Sequence, residues 1–258
     1  MRRYQLFEFL DQPWLPDRLR VAATGYLTAS YATTPFPARW AGMLARILDD
    51  CGLNSIIDIG SGSGGPMEVV LAEMAKLGRK PLVMLTDLYP VRTASPIDYW
   101  PDPVSATCVP AELRGLRTLF LVFHHFAPPM ARAVLQDAFN QRQAICIFEA
   151  TSRTAPAIAV SFVIPFLVLL LTPSVRPKSI FQFFFTYLIP VLPLLVFWDG
   201  LVSQLRTYST AELRELTADC NSPEFVWEHG IIEASGVPYK TCYLVGRPRL
   251  ASGTFVRH

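Results

Sequence analysis

The sequence has little charge, few histidines and no paired cysteines. Only 17% of its 258 residues are charged and the net charge is +2, so the chain lacks the basic surface that binds nucleic acid. None of its five cysteines forms a C-x-x-C pair, which argues against a disulfide framework and favours reduced thiols in a cytosolic setting. No cysteine lies at ligand spacing from the adjacent His124 and His125, so the sequence predicts no metal site.

The sequence predicts neither a secretory signal in its first residues nor internal repeats. The first twenty residues contain no continuous apolar run and no small-residue cleavage site. Residues 1–54 instead predict an N-terminal helical lid, interrupted at the prolines at 13, 16, 35 and 37 and ending with Gly52 as a helix C-cap. Trp14 and Tyr26 are candidates to close a ligand cleft from this lid, and aromatic core packing is the alternative.

From residue 55 onward, short apolar runs alternate with helical segments. This pattern predicts βαβ units and a parallel sheet with both faces covered. The α/β domain is expected to comprise residues 55–153 and 205–258, with a helix capped by Ser209 or Thr210 in the second part. The predicted strands are SIIDI, PLVMLTD, LRTLFLVF, AICIFEA, EFVWEHG and TCYLVGR.

A glycine-rich loop follows the first predicted strand, in SIIDIGSGSGG. Glycine allows a tight turn and a close approach of a ligand, and the N-terminus of the following helix offers free N–H groups. Written as G-x-G-x-x-G, the segment fits a dinucleotide site through Gly60, Gly62 and Gly65, with Asp87 ending the next strand. The loop therefore predicts a nucleotide-containing cofactor.

Written as D-x-G-x-G-x-G, the same segment resembles motif I of the class I S-adenosylmethionine-dependent methyltransferases. The resemblance covers roughly residues 40–150 and 205–248, and LFEFLDQPWLP and WDGLVSQLRTYS resemble bacterial members of that family. It implies a Rossmann-like, seven-stranded, mostly parallel sheet with an antiparallel last strand, and S-adenosyl-L-methionine as cofactor.

The resemblance also implies roles for individual residues. Asp58 would help to bind the methionine part of the cofactor, Asp87 would bind the ribose hydroxyls, and the segment SATCVP would flank the adenine. Ser105 stands where many relatives have aspartate. The implied cofactor-binding residues are Asp58, Gly60, Ser61, Gly62, Gly64, Asp87, Leu88, Ala106, Thr107 and Phe123.

Two further functions fit the same loop. An NAD(P)-dependent oxidoreductase would use it for a dinucleotide, although the sequence has no Tyr-x-x-x-Lys motif and no clear second mononucleotide half. A non-catalytic, cofactor-binding membrane scaffold would retain the loop without turnover. A glycine turn with no cofactor is the structural alternative to all three.

Polar side chains are expected at the carboxyl ends of the fourth and fifth strands, where ligands bind in open α/β sheets. His124 and His125 follow the fourth strand; one should face the cavity, and the other should pack or bond to backbone. Glu149 ends the fifth strand, and Asp199 and Arg206 follow an apolar segment. These five residues are the candidate catalytic groups, with structural histidines and an Asp199–Arg206 ion pair as the alternatives.

Residues 154–204 form an apolar insert with two charge-free stretches of 18 and 19 residues. At 1.5 Å per residue each stretch would reach about 27 Å as a helix, close to the hydrocarbon thickness of a bilayer. Prolines at 165, 190 and 193 interrupt the stretches, and the basic turn with Arg176 and Lys178 resists translocation. The sequence therefore favours a hairpin that dips into the cytoplasmic leaflet, with a hydrophobic or lipid-like acceptor as substrate; a substrate cap or a homodimer interface is the alternative.

Overall fold

One seven-stranded sheet organises the chain. The computed structural model describes residues 1–90, 95–175 and 178–249. Within these ranges the strand order is β3-β2-β1-β4-β5-β7-β6; β3, β2, β1, β4 and β5 are parallel, and β7 is antiparallel to both β5 and β6. The expected Rossmann-like α/β fold is thereby confirmed. The strands are β1 Ser55–Ile59, β2 Leu82–Thr86, β3 Asp98–Tyr99, β4 Leu116–Phe120, β5 Ile145–Phe148, β6 Phe225–Ile232 and β7 Thr241–Pro248.

The helices begin and end largely where the sequence predicts. Gly52 adopts a left-handed φ of 63° and ends α2, and Ser209 forms a capping box with Glu212 at the start of α9. Pro37 does not interrupt α2, because it lies in the first turn, where its missing N–H has no intrahelical partner to lose. The helices are α1 Asp17–Tyr31, α2 Phe36–Cys51, α3 Met67–Lys76, α4 Pro128–Asn140, α5 Ala155–Ser161, α6 Ile164–Leu171, α7 Ile180–Phe183, α8 Val191–Arg206 and α9 Thr210–Thr217.

The sheet buries a hydrophobic cluster on each face. Successive side chains of a strand point to opposite faces, so Ile56 of β1 joins the cluster with α2 and α3, whereas Ile57 and Ile59 join the cluster with α4 and α9. The two layers of helices cover the sheet and leave its carboxyl edge as the place for polar groups.

The insert is a set of short helices packed on α1. Tyr26 of α1 lies in a third hydrophobic cluster with Val168 and Leu195. Helix α8 continues to Arg206, beyond the predicted end of the insert, so Asp199 and Arg206 lie on one helix. No single described helix combines the length and hydropathy needed to cross a membrane. Two pairs of consecutive helices meet these criteria together, by length and composition alone, but each pair is bent. The pairs are Ala155–Ser161 with Ile164–Ser174, bent by 45°, and Ile180–Leu188 with Val191–Arg206, bent by 79°.

Residues 3–12, here called the N-terminal strap, cross α8 and reach the end of β4. The backbone N–H of Tyr4 donates to the carbonyl of Leu205 at 3.1 Å, and the Trp198 indole donates to the carbonyl of Phe7 at 3.0 Å. Arg3 donates to the carbonyl of His124 at 2.8 Å. The strap thus brings residues from the start of the chain to the carboxyl edge of the sheet.

Candidate functional site

The glycine loop turns directly after β1 and has an open side. Gly60 and Gly62 have left-handed φ values of 71° and 52°, which strongly favour glycine. A Cβ on Gly60 would lie 3.1 Å from the Val122 side chain, whereas a Cβ on Gly62 would meet nothing within 4 Å. The Asp87 carboxylate accepts a hydrogen bond from the Gly62 N–H at 2.8 Å, and the Tyr99 hydroxyl donates to the Gly62 carbonyl at 3.1 Å. The loop is therefore anchored at Gly62, and the space beside it accommodates a closely approaching ligand.

Asp58 lies beneath this loop rather than on its open side. The residue is 2% exposed, and its carboxylate accepts hydrogen bonds from the hydroxyls of Thr118 at 2.6 Å and Ser61 at 2.7 Å. Burial raises its pKa to about 7. Ser61 also accepts from the Thr86 N–H at 3.2 Å. The Asp58 side chain thus bonds to β4, and the Ser61 side chain bonds to β2. This arrangement does not fit the interpretation that the two side chains contact a cofactor directly.

The segment expected to flank the adenine lies beside Asp87. The Val104 N–H donates to the Asp87 carbonyl at 2.9 Å, and the hydroxyls of Ser105 and Thr107 lie 2.9 Å apart. Ala106 and Thr107 are half-buried, and Leu88 is 47% exposed. Gly60, Gly62, Gly64, Asp87, Leu88, Ala106 and Thr107 remain the predicted cofactor contacts.

Phe123 belongs to the core and not to the cavity. Strand β4 ends at Phe120, Leu121 has a φ of 60°, and the chain then enters a 3-10 turn at Phe123–His125. The Phe123 side chain is 1% exposed, and its ring centroid lies 5.5 Å from that of Tyr208. The prediction that Phe123 lines the cofactor site is wrong, because the early end of β4 turns its ring into the layer beneath α9.

The 3-10 turn presents two imidazoles, each held by a carboxylate. His124 Nδ1 lies 2.8 Å from Glu149 Oε2, and the His124 backbone N–H donates to Glu149 Oε1 at 3.0 Å. His125 Nδ1 lies 3.0 Å from Asp11 Oδ1. His124 is 3% exposed and packs against the His125 ring at a centroid distance of 4.3 Å, whereas His125 is 26% exposed, and both side chains belong to a single polar cluster.

Glu8 of the strap completes this polar cluster. The sequence did not indicate that Glu8 belongs to it. Glu8 Oε1 accepts from Arg206 Nη1 at 2.9 Å and lies 3.8 Å from His124 Nε2, while Glu8 Oε2 lies 3.7 Å from His125 Nε2. Arg206 Nη1 also lies 2.9 Å from Asp11 Oδ2. The only available signal was two acidic residues in the otherwise largely apolar segment LFEFLDQPW. We refer to Glu8, Asp11, His124, His125, Glu149 and Arg206 as the histidine cluster.

Asp199 does not pair with Arg206. Its carboxylate accepts the backbone N–H groups of Phe9 at 2.7 Å and Leu10 at 3.0 Å. Burial raises its pKa to about 6. The alternative of an Asp199–Arg206 ion pair is wrong, because the strap lies on Asp199 and the acidic side chains of the strap bind Arg206 instead. Asp199 therefore holds the strap and does not reach the two imidazoles.

The two aromatic candidates of the lid pack elsewhere. Tyr26 is buried between α1 and the insert, as the core-packing alternative held. Trp14 is 63% exposed, and its ring centroid lies 6.0 Å from that of Phe9 in the strap. Tyr31 at the end of α1, which the sequence did not single out, is half-buried, and burial together with the nearby Glu149 and Glu8 carboxylates raises its pKa.

The pairing of each imidazole with a carboxylate allows the imidazole to accept a proton or to bind a metal. A carboxylate that accepts from Nδ1–H leaves the Nε2 lone pair of a neutral imidazole free to accept a proton or to bind a metal. Val122, which contacts Gly60, precedes the 3-10 turn by one residue, so the histidine cluster lies next to the glycine loop. A bound cofactor and an acceptor would thus meet at this edge of the sheet.

Comparison with known proteins gives likeness in structure only. No protein-family model matches the chain, and neither does any curated protein sequence. Most of the solved structures that it resembles are S-adenosylmethionine-dependent methyltransferases. The mitomycin 7-O-methyltransferase MmcR is 13% identical with a TM-score of 0.47, and the match covers 94% of this chain and 61% of that one. PigF with SAH is 15% identical with a TM-score of 0.46, over 92% of this chain and 62% of that one. The magnesium protoporphyrin IX methyltransferase of Synechocystis is 10% identical with a TM-score of 0.43, over 92% of this chain and 85% of that one. At this distance no residue role transfers from them.

Proposed function

We propose that this protein is an S-adenosylmethionine-dependent methyltransferase that acts on a small hydrophobic or lipid-like acceptor. The observation that carries the proposal is the loop at the end of β1, where Gly62 is open on one side and is hydrogen-bonded to the carboxylate that ends β2. The strand order with its reversed β7 supports the same conclusion.

The residues around the loop fit this cofactor. The space next to Gly62 admits close approach to backbone, and Asp87 offers two carboxylate oxygens to ribose hydroxyls in exchange for its bonds to the Gly62 and Tyr89 N–H groups. Ala106 and Thr107 follow Val104, whose N–H donates to the Asp87 carbonyl, and we expect them to flank the adenine. The bound cofactor supplies a methyl group on a sulfonium, and the chain's task is to hold the acceptor in line with it.

An apolar acceptor is supported by the surroundings of the site. A groove of about 390 Å³ lies between α1 and α7, with Val21, Ala22, Val175 and Phe181 among its lining residues. Helix α1 continues from this groove to Tyr31, whose pKa is raised by burial and by the Glu149 and Glu8 carboxylates. An apolar molecule held between α1 and the insert would therefore lie along the helix that ends toward these carboxylates.

Calorimetric titration with S-adenosylhomocysteine and with NADH tests the cofactor. Gly62→Val fills the open space and Asp87→Ala removes the ribose acceptor, and we expect each change to weaken binding of S-adenosylhomocysteine at least tenfold. Gly78→Val is the matched control, because Gly78 also has a left-handed φ and open space but lies after α3. Tight NADH binding without S-adenosylhomocysteine binding would favour the oxidoreductase, and cofactor binding without any methylated product from a membrane extract would favour the scaffold.

We further propose that the insert attaches the protein to the cytoplasmic face of a membrane as a peripheral or monotopic protein. Large apolar side chains lie exposed on it, a pattern that marks membrane or protein contacts. Lys178 is exposed beside them, and Arg176 lies outside the described residues. The exposed side chains include Phe162, Phe166, Leu170, Ile180 and Leu188, with fractions from 58% to 91%.

Flotation with phospholipid vesicles tests the attachment. We expect binding that resists high salt and yields to detergent, since apolar burial outweighs the roughly 1 kcal/mol from each basic residue near anionic lipid. Phe166→Ser with Leu170→Ser should abolish flotation, whereas Leu82→Ser, equally exposed on β2, should not. A wild-type protein that stays unbound would contradict the proposal; a dimer in sedimentation would then favour the homodimer interface, and a monomer the substrate cap.

Topology needs a separate labelling experiment in cells. In a Cys108→Ser background, which removes an exposed native thiol, a cysteine at Ser174 should react with an impermeant reagent only from the cytoplasmic side. Labelling from outside would instead establish two crossings by the bent helix pairs.

A further inference from the structure

Three metal-ligand side chains converge on one point at the carboxyl edge of the sheet. One donor atom from each of Glu8, His124 and His125 lies within 4.8 Å of the others. The two imidazoles come from a single turn, and the carboxylate comes from the N-terminal strap. This convergence depends on tertiary structure and has no counterpart in the spacing of the sequence.

We propose that Glu8, His124 and His125 bind one divalent transition-metal ion of the zinc class. Two imidazoles and one carboxylate are a ligand set that zinc uses in catalytic sites. Zinc bonds of about 2.0 to 2.1 Å in a tetrahedron place donors roughly 3.3 Å apart. His124 Nε2 lies 3.8 Å from Glu8 Oε1 and His125 Nε2 lies 3.7 Å from Glu8 Oε2, and one donor from each residue lies within 4.8 Å of the others, so side-chain adjustments of up to about 1.5 Å bring the three donors to this spacing.

The nitrogen that would bind the ion is buried and unpartnered. His124 is 3% exposed, and its Nε2 has no hydrogen-bond partner among the described residues. An unpaired polar atom in a buried place costs stability, so such atoms point to a missing partner. Because Nε2 of His124 lies 3.8 Å from Glu8 Oε1, a metal between them would satisfy it.

Each of the three ligands already has an outer partner. Glu149 accepts from Nδ1 of His124, Asp11 accepts from Nδ1 of His125, and Arg206 donates to Glu8 Oε1. Carboxylates that hold the second nitrogen of a ligating imidazole fix its tautomer and orientation in metal sites. Glu8 Oε2 remains on the side of His125, where it is available to the ion.

The charge of the surroundings fits a dication. Within the histidine cluster, the three carboxylates of Glu8, Asp11 and Glu149 face one guanidinium group, that of Arg206, which leaves two negative charges when the imidazoles are neutral. His125 is 26% exposed, which gives the ion a route from solvent, and three protein ligands would leave the fourth position of a tetrahedral ion to a further ligand. The further inference that an oxygen or nitrogen of the acceptor takes this fourth position rests on the proposed methyl transfer. Metal binding itself does not depend on that function.

Metal binding is tested on the full chain, freed of metal by chelation. Competition with a chromogenic chelator should give one equivalent of bound Zn²⁺, and His124→Asn and Glu8→Gln should each weaken it more than tenfold. Glu149→Gln, an outer-partner change, should weaken it by roughly 10- to 100-fold. His229→Asn is the matched control, because His229 lies on β6 with its Nε2 on the Thr217 hydroxyl, and it should leave the affinity unchanged.

Cobalt substitution gives a readout that needs no variant. X-ray absorption of the Co²⁺ form should show two imidazoles and no sulfur, whereas metal–sulfur scattering, or a thiolate charge-transfer band in the ultraviolet spectrum, would place the metal on the free cysteines and overturn the proposal. Absence of stoichiometric Zn²⁺, or equal weakening by His229→Asn, would overturn it as well. Titration of the metal-free protein with S-adenosylhomocysteine reports separately on the proposed cofactor.

Discussion

Replacing Asp58 with asparagine changes how stability depends on pH. The Asp58 carboxyl is buried beneath the glycine loop, and desolvation raises its pKa from 3.8 to about 7. The folded state therefore binds a proton that the unfolded state has released, and stability falls as pH rises from about 4 to about 7. Between pH 5 and pH 8 this one group removes about 2 to 3 kcal/mol from the free energy of unfolding.

Urea unfolding of the wild type and Asp58→Asn at pH 5 and pH 8 measures this term. An asparagine keeps an oxygen for the Thr118 hydroxyl and offers an N–H to the Ser61 oxygen, so the fold should tolerate it. All other titrating groups are common to both proteins, and the difference between them isolates Asp58. We expect the wild type to lose about 2 to 3 kcal/mol more than the variant, with the exposed Asp102→Asn as control. Equal pH dependence would show that the carboxyl is ionised in the folded state.

Three further changes test local contacts. Ser209→Ala removes the capping box of α9 and should lower the free energy of unfolding by about 0.5 to 2 kcal/mol in urea titration, unless α9 is stabilised by packing alone. Gly115→Ala places a Cβ 2.8 Å from the Ser55 carbonyl oxygen and should cost about 1 to 3 kcal/mol, with a lowered melting temperature as the measure and an unchanged one as the contrary result. Asp199→Ala removes the acceptor of two strap N–H groups and should speed their hydrogen exchange relative to that of the sheet; unchanged exchange would show that other contacts hold the strap.

The sheet could be predicted because its signals are local. Apolar runs such as SIIDI and AICIFEA are bounded by turn residues, and the glycines after β1 fall between a strand and a helix. The two-residue strand Asp98–Tyr99 was missed, because its pairing with β2 depends on neighbours and not on a hydrophobic period. Phe123 was assigned to the wrong surface for a related reason: an unbroken run of apolar residues does not show where β4 ends.

The candidate site was predicted only in part. The carboxyl ends of β4 and β5 gave His124, His125 and Glu149, since parallel strands bring their ends to one edge. Glu8 lies more than a hundred residues from both histidines, and no periodicity connects them. The partners of Arg206 were likewise set by the path of the strap across α8 and not by sequence spacing.

During synthesis, the glycine loop and the histidine cluster become able to form at different times. Gly62 and Asp87 are 25 positions apart, so the cofactor side joins neighbouring parts of the chain. The strap must instead wait for α8: Phe9 and Asp199 are separated by 190 positions, and Asp11 and Arg206 by 195. At about 5 to 20 residues per second, ribosomal elongation keeps Glu8 and Asp11 without these partners for roughly 10 to 40 s. A growing chain can therefore complete the glycine loop well before the histidine cluster closes, and the cluster becomes whole only after α8 has emerged.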